Sequence, residues 1–120
     1  MVDNSGNLPV LDEAMLVELK DIMEDDFGLL LETFLADATV RMGVIDVAAA
    51  EQQSDVLREA AHSFKGSCAN IGAMRLSNLA SNLEQKAKNN ELQSVELLVA
   101  SIHTAYDEVR ILIKAELAAC

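Results

Sequence analysis

The sequence predicts an all-α protein: an antiparallel up-down bundle of four helices, with a short N-terminal helix covering one end. Of the 120 residues, 51% are hydrophobic, which is enough for a core without metal or disulfide cross-links. Leu and Ala dominate, Trp is absent, and the single proline, Pro9, lies near the N-terminus. Apolar residues recur at three- and four-residue spacing along most of the chain, as in amphipathic helices.

The N-terminal part of the chain is predicted to hold an arm and a short helix. Residues 1–10 are expected to form a flexible arm, and residues 11–120 the helical domain. The short helix is expected over about 11–23, with Asp12 as its N-cap.

A long second helix is predicted over about residues 26–53. The acidic cluster at 24–26 is expected to end the first helix and to cap the second. Gly43 lies inside the second helix and should cost about 1 kcal/mol relative to alanine. The inward stripe of this helix consists of Phe27, Leu31, Phe34, Ala38, Met42, Ile45 and Ala49.

Three more helices are predicted after it. Ser54 is expected to cap the third, and Gly72 lies where a left-handed C-terminal cap should end it. The fourth is expected over about 73–89 and the last over about 91–118. The inward residues of the third are Leu57, Ala60, Ala61, Phe64, Cys68 and Ile71. Those of the fourth are Leu76, Leu79, Ala80, Leu83 and Ala87, and those of the last are Val95, Leu98, Ile102, Tyr106, Val109, Ile113 and Leu117.

The net charge of −11 comes from the first half of the chain. Residues 1–59 carry 14 acidic and 3 basic side chains, whereas residues 60–120 carry 6 of each. An acidic protein without a basic patch is a poor candidate for binding nucleic acid or an anionic membrane. No apolar run is long enough to cross a bilayer, and the N-terminus lacks the features of a signal peptide. We therefore expect a cytoplasmic protein with neither kind of partner, and nothing demands more than a monomer.

The two cysteines are predicted to have no special chemistry. Cys68 and Cys120 lack the spacing of metal ligands, and without a secretory signal a disulfide is not expected. Cys68 falls on the apolar face of the third helix and is predicted to be a small core residue. Cys120 is predicted to be a loose C-terminal thiol.

The segment AHSFKGSCANIG, from Ala61 to Gly72, places an unusual combination on one helix. At 100° per residue, His62 lies roughly 150° from the centre of the apolar sector, so it should stand in solvent. Lys65, three residues on, can reach an anion attached to the ring. Gly66, four residues on, leaves the approach to His62 clear, and Ala69 keeps it open. A glycine in a helix interior is destabilising, so this opening needs a reason.

These residue types fit a histidine that accepts a phosphoryl group. A neutral imidazole offers a nucleophilic nitrogen near pH 7, and an ammonium beside it would offset the added charge. Serine-type catalysis would need a pocket and a base–nucleophile constellation that the sequence does not supply. Zinc is disfavoured because no acidic residue or cysteine has ligand spacing to His62, and we expect no metal site. His103, the other histidine, is predicted to be a boundary residue without a special role. On these residues alone, a functional and a plain surface histidine stay equally open.

Two side chains are candidates for holding the ring of His62. His62 lies ten residues before the turn at Gly72, and Glu84 lies twelve after it, so an antiparallel hairpin brings them to the same height. Glu84, or Gln85 beside it, could accept a hydrogen bond from the other ring N–H and fix the tautomer. A carboxylate that merely solvates the helix flank is an equal alternative.

The motif resembles that of a known family. His62, Lys65, Gly66 and Gly72 form the pattern His-x-x-Lys-Gly, five residues, then Gly. With this pattern the segment LREAAHSFKGSCANIGAMRLSNLASNLE, residues 57–84, resembles histidine-containing phosphotransfer (HPt) domains. The stretch FLADATVRM and the leucine-spaced last helix also resemble that family, so the likeness covers roughly residues 27–113.

The resemblance implies a phosphorelay intermediate and not an enzyme. Because the sequence predicts a single domain, we expect a free-standing protein of this family. The protein would accept a phosphoryl group on His62 from a receiver-domain aspartate, or from a histidine kinase, and pass it to a response-regulator aspartate. The implied partners are receiver domains of hybrid sensor kinases and of response regulators. No cofactor is implied, since Mg²⁺ would come with the receiver. The chain has no nucleotide-binding glycine loop and no room for an ATP-binding domain, so we expect no kinase activity of its own.

A different class of function remains as the alternative. In it the protein is a non-catalytic helical adaptor that docks a partner through the His62 face, without chemistry. Arg58, Glu59 and Ser67 are the residues we expect on the partner surface around His62. An enzyme with its own pocket is disfavoured, because the inward faces carry no convergent polar residues.

Overall fold

The computed structural model describes residues 8–119, and the regular structure within this range is helical. Five α-helices follow one another: α1 (Glu13–Met23), α2 (Phe27–Ala50), α3 (Ser54–Asn70), α4 (Met74–Lys88) and α5 (Val95–Ala119). Helices α2 to α5 form an antiparallel bundle, in which each helix packs against the next and α5 returns to α2. The predicted fold class is confirmed. None of the helices in the described range combines the length and the apolar composition that a membrane span needs.

The core is built from the inward stripes that the spacing predicts. Every residue predicted to face inward from the second, third and fourth helices is buried. On α5, Val95, Ile102, Val109 and Ile113 are buried, while Leu98, Tyr106 and Leu117 are partly buried against the core. One inward apolar stripe from each of the four helices therefore forms the core. Helix α2 also carries exposed apolar side chains on its other faces, namely Leu29, Val40, Val44 and Val47.

Cys68 is one of these core residues, as predicted. Its side chain is fully buried, and burial, with a smaller contribution from the Asp37 carboxylate, raises the pKa of its thiol. The thiol is therefore protonated and unreactive at neutral pH. Cys120 lies outside the described residues, so the prediction about its thiol stays a prediction.

Helix α1 covers the end of the bundle at which α3 turns into α4. Asp12 caps α1 as predicted: its carboxylate accepts a hydrogen bond from the Met15 amide at 3.1 Å. The Asp12 amide in turn donates to the Gly72 carbonyl at 2.8 Å. Gly72 has a φ of +81°, and a Cβ there would lie 3.2 Å from Asp12 Cβ and 3.3 Å from Met15 Sδ. Gly72 therefore serves both the left-handed end of α3 and the close approach of α1.

The predicted N-terminal arm falls only partly within the described residues. Residues 1–7 lie outside them, and the flexibility predicted for these residues stays a prediction. The carbonyls of Leu8 and Pro9 accept hydrogen bonds from Arg75, through its Nε and its amide, both at 3.1 Å. The last residues of the arm are therefore attached to the start of α4.

The ends of α2 differ from the prediction. Residues 24–26 form a single 3-10 turn, and the Asp26 side chain makes no capping hydrogen bond to α2. The helix ends at Ala50, three residues early, because Gln52 adopts a left-handed φ of 56°. The Gln53 amide then donates to the Ala48 carbonyl at 2.9 Å, which closes the helix end.

Two helix starts also differ. Ser54 is the first residue of α3 and not its cap, because Gln53 holds the cap position without a side-chain hydrogen bond. The last helix begins at Val95 instead of residue 91, because Asn90 turns the chain with a φ of 56° and Leu92 packs into the core before the helix starts.

Candidate functional site

His62 lies in the middle of α3 and points into solvent, as the helical wheel predicts. Its side chain is 66% exposed, whereas Ala61 and Phe64 on the opposite face are fully buried. The amphipathic pattern of α3 therefore positions the imidazole: packing of the apolar face fixes the helix and leaves the ring outside.

The hairpin formed by α3 and α4 brings Glu84 to the ring. Glu84 Oε2 lies 2.8 Å from His62 Nδ1, and Glu84 Oε1 lies 2.6 Å from Lys65 Nζ. One carboxylate therefore binds both the histidine and the lysine of the motif. Gln85, the other candidate, is exposed to solvent. The geometry selects Glu84 as the partner of the ring.

The charge of Glu84 determines which nitrogen of His62 carries the proton. Partial burial acts to raise the pKa of Glu84, but hydrogen bonds from Lys65 and His62, and attraction to both, outweigh it and lower the pKa. An ionised carboxylate can only accept hydrogen bonds, so Nδ1 carries the proton of the 2.8 Å contact. In the neutral ring Nε2 then keeps its lone pair, on the side away from Glu84.

A buried serine, which sequence reasoning missed, fixes the register between α3 and α4. Ser77 is 9% exposed, and its hydroxyl donates to the Lys65 backbone carbonyl at 3.0 Å. Glu84 lies seven residues, or about two turns, further along the same flank of α4. The signal in the sequence is a serine two turns before Glu84, on the flank that the hairpin turns toward α3.

The approach to His62 along α3 is open. Gly66 is exposed, and a Cβ added there would meet no atom of the described residues within 4 Å, so their packing does not require a glycine. Ala69, one turn further, is partly exposed and adds only a methyl group. Both residues leave this side of His62 free of bulky side chains, as the helical wheel predicts.

The residues predicted for the partner surface divide into two groups. Arg58 and Glu59 are exposed on the turn of α3 before His62. Beside them opens a shallow cleft of about 420 Å³, lined by Arg58, Glu59, His62, Ser63 and Glu84. Ser67 instead turns toward α2, where its hydroxyl donates to the Asp37 carboxylate at 3.3 Å. Ser67 is therefore half-buried between two helices and lies at the edge of this surface.

The second histidine belongs to a separate pair. His103 Nε2 lies 2.7 Å from Asp46 Oδ1, so the pair links α5 to α2. Both side chains are about half exposed, at 47% and 45%. The residues three and four positions after His103 are Tyr106 and Asp107, so neither a lysine nor a glycine accompanies it. The structure thus adds a carboxylate partner to a residue for which the sequence predicted no special role.

The groups around His62 can attack an electrophilic group that carries negative charge and can stabilise that charge. Within the described range, residues 8–119, no group of three or more His, Cys, Asp or Glu side chains could hold a metal ion. The cation beside Glu84 is the Lys65 ammonium, which can also reach an anion on the imidazole. A nucleophilic nitrogen, a cation and an open approach therefore lie together on one helix face.

Known proteins resemble this chain in sequence and in fold. Residues 29–112 match the family model of the Hpt domain. The phosphorelay protein LuxU of Vibrio harveyi is 31% identical over 109 residues, which cover 87% of this chain and 96% of LuxU. The crystal structure of histidine-containing phosphotransfer protein B (HptB) from Pseudomonas aeruginosa PAO1 is 36% identical. It matches with a TM-score of 0.91 over 93% of this chain and 97% of HptB.

Proposed function

The chain belongs to the Hpt domain family, and from that premise we propose that His62 carries the phosphoryl group, on its Nε2 atom. The protein is a phosphorelay intermediate in two-component signalling, and its partners in general are receiver domains. The observation that carries the proposal is the 2.8 Å contact between Glu84 and Nδ1 of an exposed histidine. Because this contact holds the proton on Nδ1, the lone pair is on Nε2.

The transfer uses groups that are already in place. The Nε2 lone pair attacks the phosphorus of a phosphorylated receiver aspartate, the P–O bond breaks, and its electrons return to the aspartate. The proton on Nδ1 stays in its hydrogen bond to Glu84. Lys65 turns from Glu84 toward the phosphoryl oxygens and offsets their charge. The same groups act in reverse when the phosphoryl group passes to another aspartate.

The partner approaches the open face of α3. Gly66 and Ala69 admit a large partner on one side of His62, and Arg58 and Glu59 contact it on the other. Among residues 8–119, the carboxylate that contacts the ring is that of Glu84, and it is already bound to Lys65. The Mg²⁺ used in the transfer is therefore held by the acidic site of the receiver. No cofactor is bound by the chain itself.

The specific place in signalling is also part of the proposal. The donors are receiver domains of hybrid sensor kinases, or a histidine kinase directly, and the recipients are response regulators. The protein has no kinase activity of its own. It acts as a monomer in the cytoplasm, where it reaches its partners by diffusion.

Incubation with a phosphorylated receiver domain tests the proposal against a purely adaptor role. The wild type and His103→Gln should gain an acid-labile, base-stable phosphate, and His62→Gln should gain none. His103→Gln is the matched control, because it removes the other exposed histidine with a carboxylate partner. Binding of the receiver without phosphate uptake would support the adaptor function instead, and phosphate on His62→Gln would exclude His62 as the acceptor.

A further inference from the structure

We infer that the Glu84 carboxylate keeps Nδ1 protonated after His62 has been phosphorylated, and so sets how readily the phosphoryl group leaves. The inference rests on the proposed function and goes beyond it. Orienting the ring before the reaction requires only a hydrogen-bond acceptor at position 84. Retaining a proton near neutral pH on a ring that has gained positive charge is favoured by a negative charge there.

The chemistry of the leaving group makes this proton important. When Nε2 forms its bond to phosphorus and Nδ1 keeps its proton, the ring becomes an imidazolium. When the P–N bond then breaks, its electron pair returns to Nε2 and a neutral imidazole departs, while an aspartate or water oxygen forms the new P–O bond. With water, the phosphate product carries away both hydrogens and releases one to solvent. If Nδ1 has already lost its proton, the same step must expel an imidazolate anion, which is a far poorer leaving group.

The structure places the negative charge of the Glu84 carboxylate next to this proton. Glu84 Oε2 lies 2.8 Å from Nδ1, and a hydrogen bond to an ionised carboxylate is stronger when its donor is also charged, as the ring is after phosphorylation. The Glu84 side chain is only 22% exposed, so solvent screens this contact less than a contact on the open surface. The low pKa of Glu84 keeps its carboxylate charged over the whole range in which histidine rings titrate.

Other charges around the ring act in both directions. Lys65 and Arg58 on α3 oppose a positive ring, whereas Glu59 on the same helix favours it. Helix α4 adds Lys88 one turn after Glu84, and α2 adds Asp37 and Arg41, which pair with each other at 3.4 Å. Of these groups, Glu84 is the one hydrogen-bonded to the ring.

Lys65 links the charge of the phosphoryl group to that of the ring. In the unphosphorylated protein its ammonium lies 2.6 Å from Glu84 Oε1 and offsets part of the carboxylate charge. A phosphoryl group on Nε2 brings two further negative charges within reach of the same ammonium. When Lys65 turns to the phosphoryl oxygens, it no longer offsets the charge of Glu84, and the carboxylate interacts with the imidazolium alone. The proton on Nδ1 is therefore held most strongly once His62 is phosphorylated.

The decay of the phosphohistidine as a function of pH tests the inference. Wild type and Glu84→Gln are phosphorylated with phosphoramidate, and the loss of phosphate is followed from pH 5 to pH 9. Glutamine keeps the size of the side chain and an acceptor oxygen but not the charge.

We expect the decay rate to fall as Nδ1 loses its proton, with a midpoint at least one pH unit lower in Glu84→Gln. Above the wild-type midpoint, the phosphate on Glu84→Gln should last longer than that on the wild type, by about tenfold for each pH unit that separates the two midpoints. The ¹⁵N chemical shift of Nδ1 in the phosphorylated proteins reports the same midpoints directly.

Glu59→Gln is the matched control, because it removes the same charge from the same cleft without touching the ring. Its midpoint should lie closer to that of the wild type than to that of Glu84→Gln. Equal midpoints in wild type and Glu84→Gln, or a rate change by one constant factor at every pH, would overturn the inference and leave Glu84 as an orienting acceptor. A wild type that gains no phosphate on His62 would instead overturn the proposed function together with the inference.

Discussion

A single carboxylate binds both the histidine and the lysine of the His-x-x-Lys-Gly motif. Glu84 lies 2.8 Å from the ring of His62 and 2.6 Å from the ammonium of Lys65. Ion pairs this close to the surface contribute at most about 1 kcal/mol to stability, so the fold gains little from them. The arrangement is therefore better explained by what it does to the imidazole than by what it does for the bundle.

Removing the lysine should weaken the site without abolishing it. Lys65→Ala removes a charge-assisted contact to the phosphoryl group of about 1.5–3 kcal/mol at most, while the nucleophile remains. We expect slower transfer from a phosphorylated receiver or a shorter phosphohistidine lifetime, both measured by the decay of labelled phosphate. If rate and lifetime both match the wild type, Lys65 is a solvated surface residue.

For a single residue, the sequence predicts whether the side chain faces the core or the solvent better than it predicts which side chain it contacts. The helical wheel correctly places His62 outward and Cys68 inward, because both follow from the apolar period of one helix. Ser67, which we expected on the partner surface around His62, turns instead toward Asp37 on α2. Which side chain of a neighbouring helix lies across a seam depends on the lateral packing of two helices, and the period of one helix does not contain that information.

At the scale of the helix, the two glycines of the motif have different reasons. Gly72 is required by its backbone, with a φ of +81°, and by the atoms of α1 packed against it. Gly72→Ala should therefore destabilise the protein by about 1–3 kcal/mol, measured by chemical denaturation. Unchanged stability would show that α1 and the turn at Gly72 can shift to make room for the added Cβ at little cost in free energy.

Gly66 should behave in the opposite way, with Gly43 as its matched control. Within residues 8–119, a Cβ at either position meets nothing within 4 Å, so alanine at either should stabilise its helix by up to about 1 kcal/mol. Only substitutions at Gly66 should slow transfer from a receiver, with Gln worse than Ala, because only Gly66 lies beside His62. Phosphorylation by the small donor phosphoramidate should be much less affected.

Two outcomes would contradict this account of Gly66. Equal losses with the receiver and with phosphoramidate would mean that the glycine serves the geometry of the histidine and not the access of a partner. Slower transfer in Gly43→Ala would mean that alanine acts through helix stability alone. Measuring both donors on the same set of variants separates these cases.

The contact between α3 and α4 should give stability a small dependence on acid pH. The folded-state pKa of Glu84 is lowered, so its contribution is complete above the ordinary glutamate pKa of about 4.3 and is lost as pH falls through the lower folded value. We expect wild type to exceed Glu84→Gln in unfolding free energy by less than about 1 kcal/mol at pH 6–7. The difference should shrink below about pH 4. A difference that grows toward low pH would have the wrong sign for a lowered pKa.

The ends of the elements show where local sequence signals fail. Gly72 and Asn90 are residue types that tolerate a left-handed conformation, and both lie at the predicted turns. Gln52 adopts the same conformation without belonging to such a type, so the end of α2 was predicted three residues late. A side-chain hydrogen bond from Gln52 to the Leu92 carbonyl at 3.4 Å ties this turn to the loop before α5. The same Gln52 nitrogen also donates to the Ala49 carbonyl of α2 at 3.1 Å. A local contact and a tertiary contact therefore both act at this helix end.

For the whole molecule, the topology follows from the sequence because each helix of the bundle buries one apolar stripe and the connections are short. The same hairpin geometry predicts that Glu84 lies at the height of His62, from their distances to the turn at Gly72. The pair formed by His103 and Asp46 was not predicted, since these residues are 57 positions apart and lie on the seam where the bundle closes. Closure of a bundle depends on all four helices together.

The identity of the phosphorylated nitrogen tests the central claim most directly. The protein is labelled with ¹⁵N-histidine, phosphorylated, and examined for correlation between ³¹P and ¹⁵N by NMR. We predict one P–N signal, at Nε2 of His62, which persists in His103→Gln and is absent from His62→Gln. The signal should disappear in acid and survive in base. Phosphorus on Nδ1 of His62, or on His103, would contradict the assignment of the proton to the contact with Glu84 and of the phosphoryl group to the opposite side of the ring.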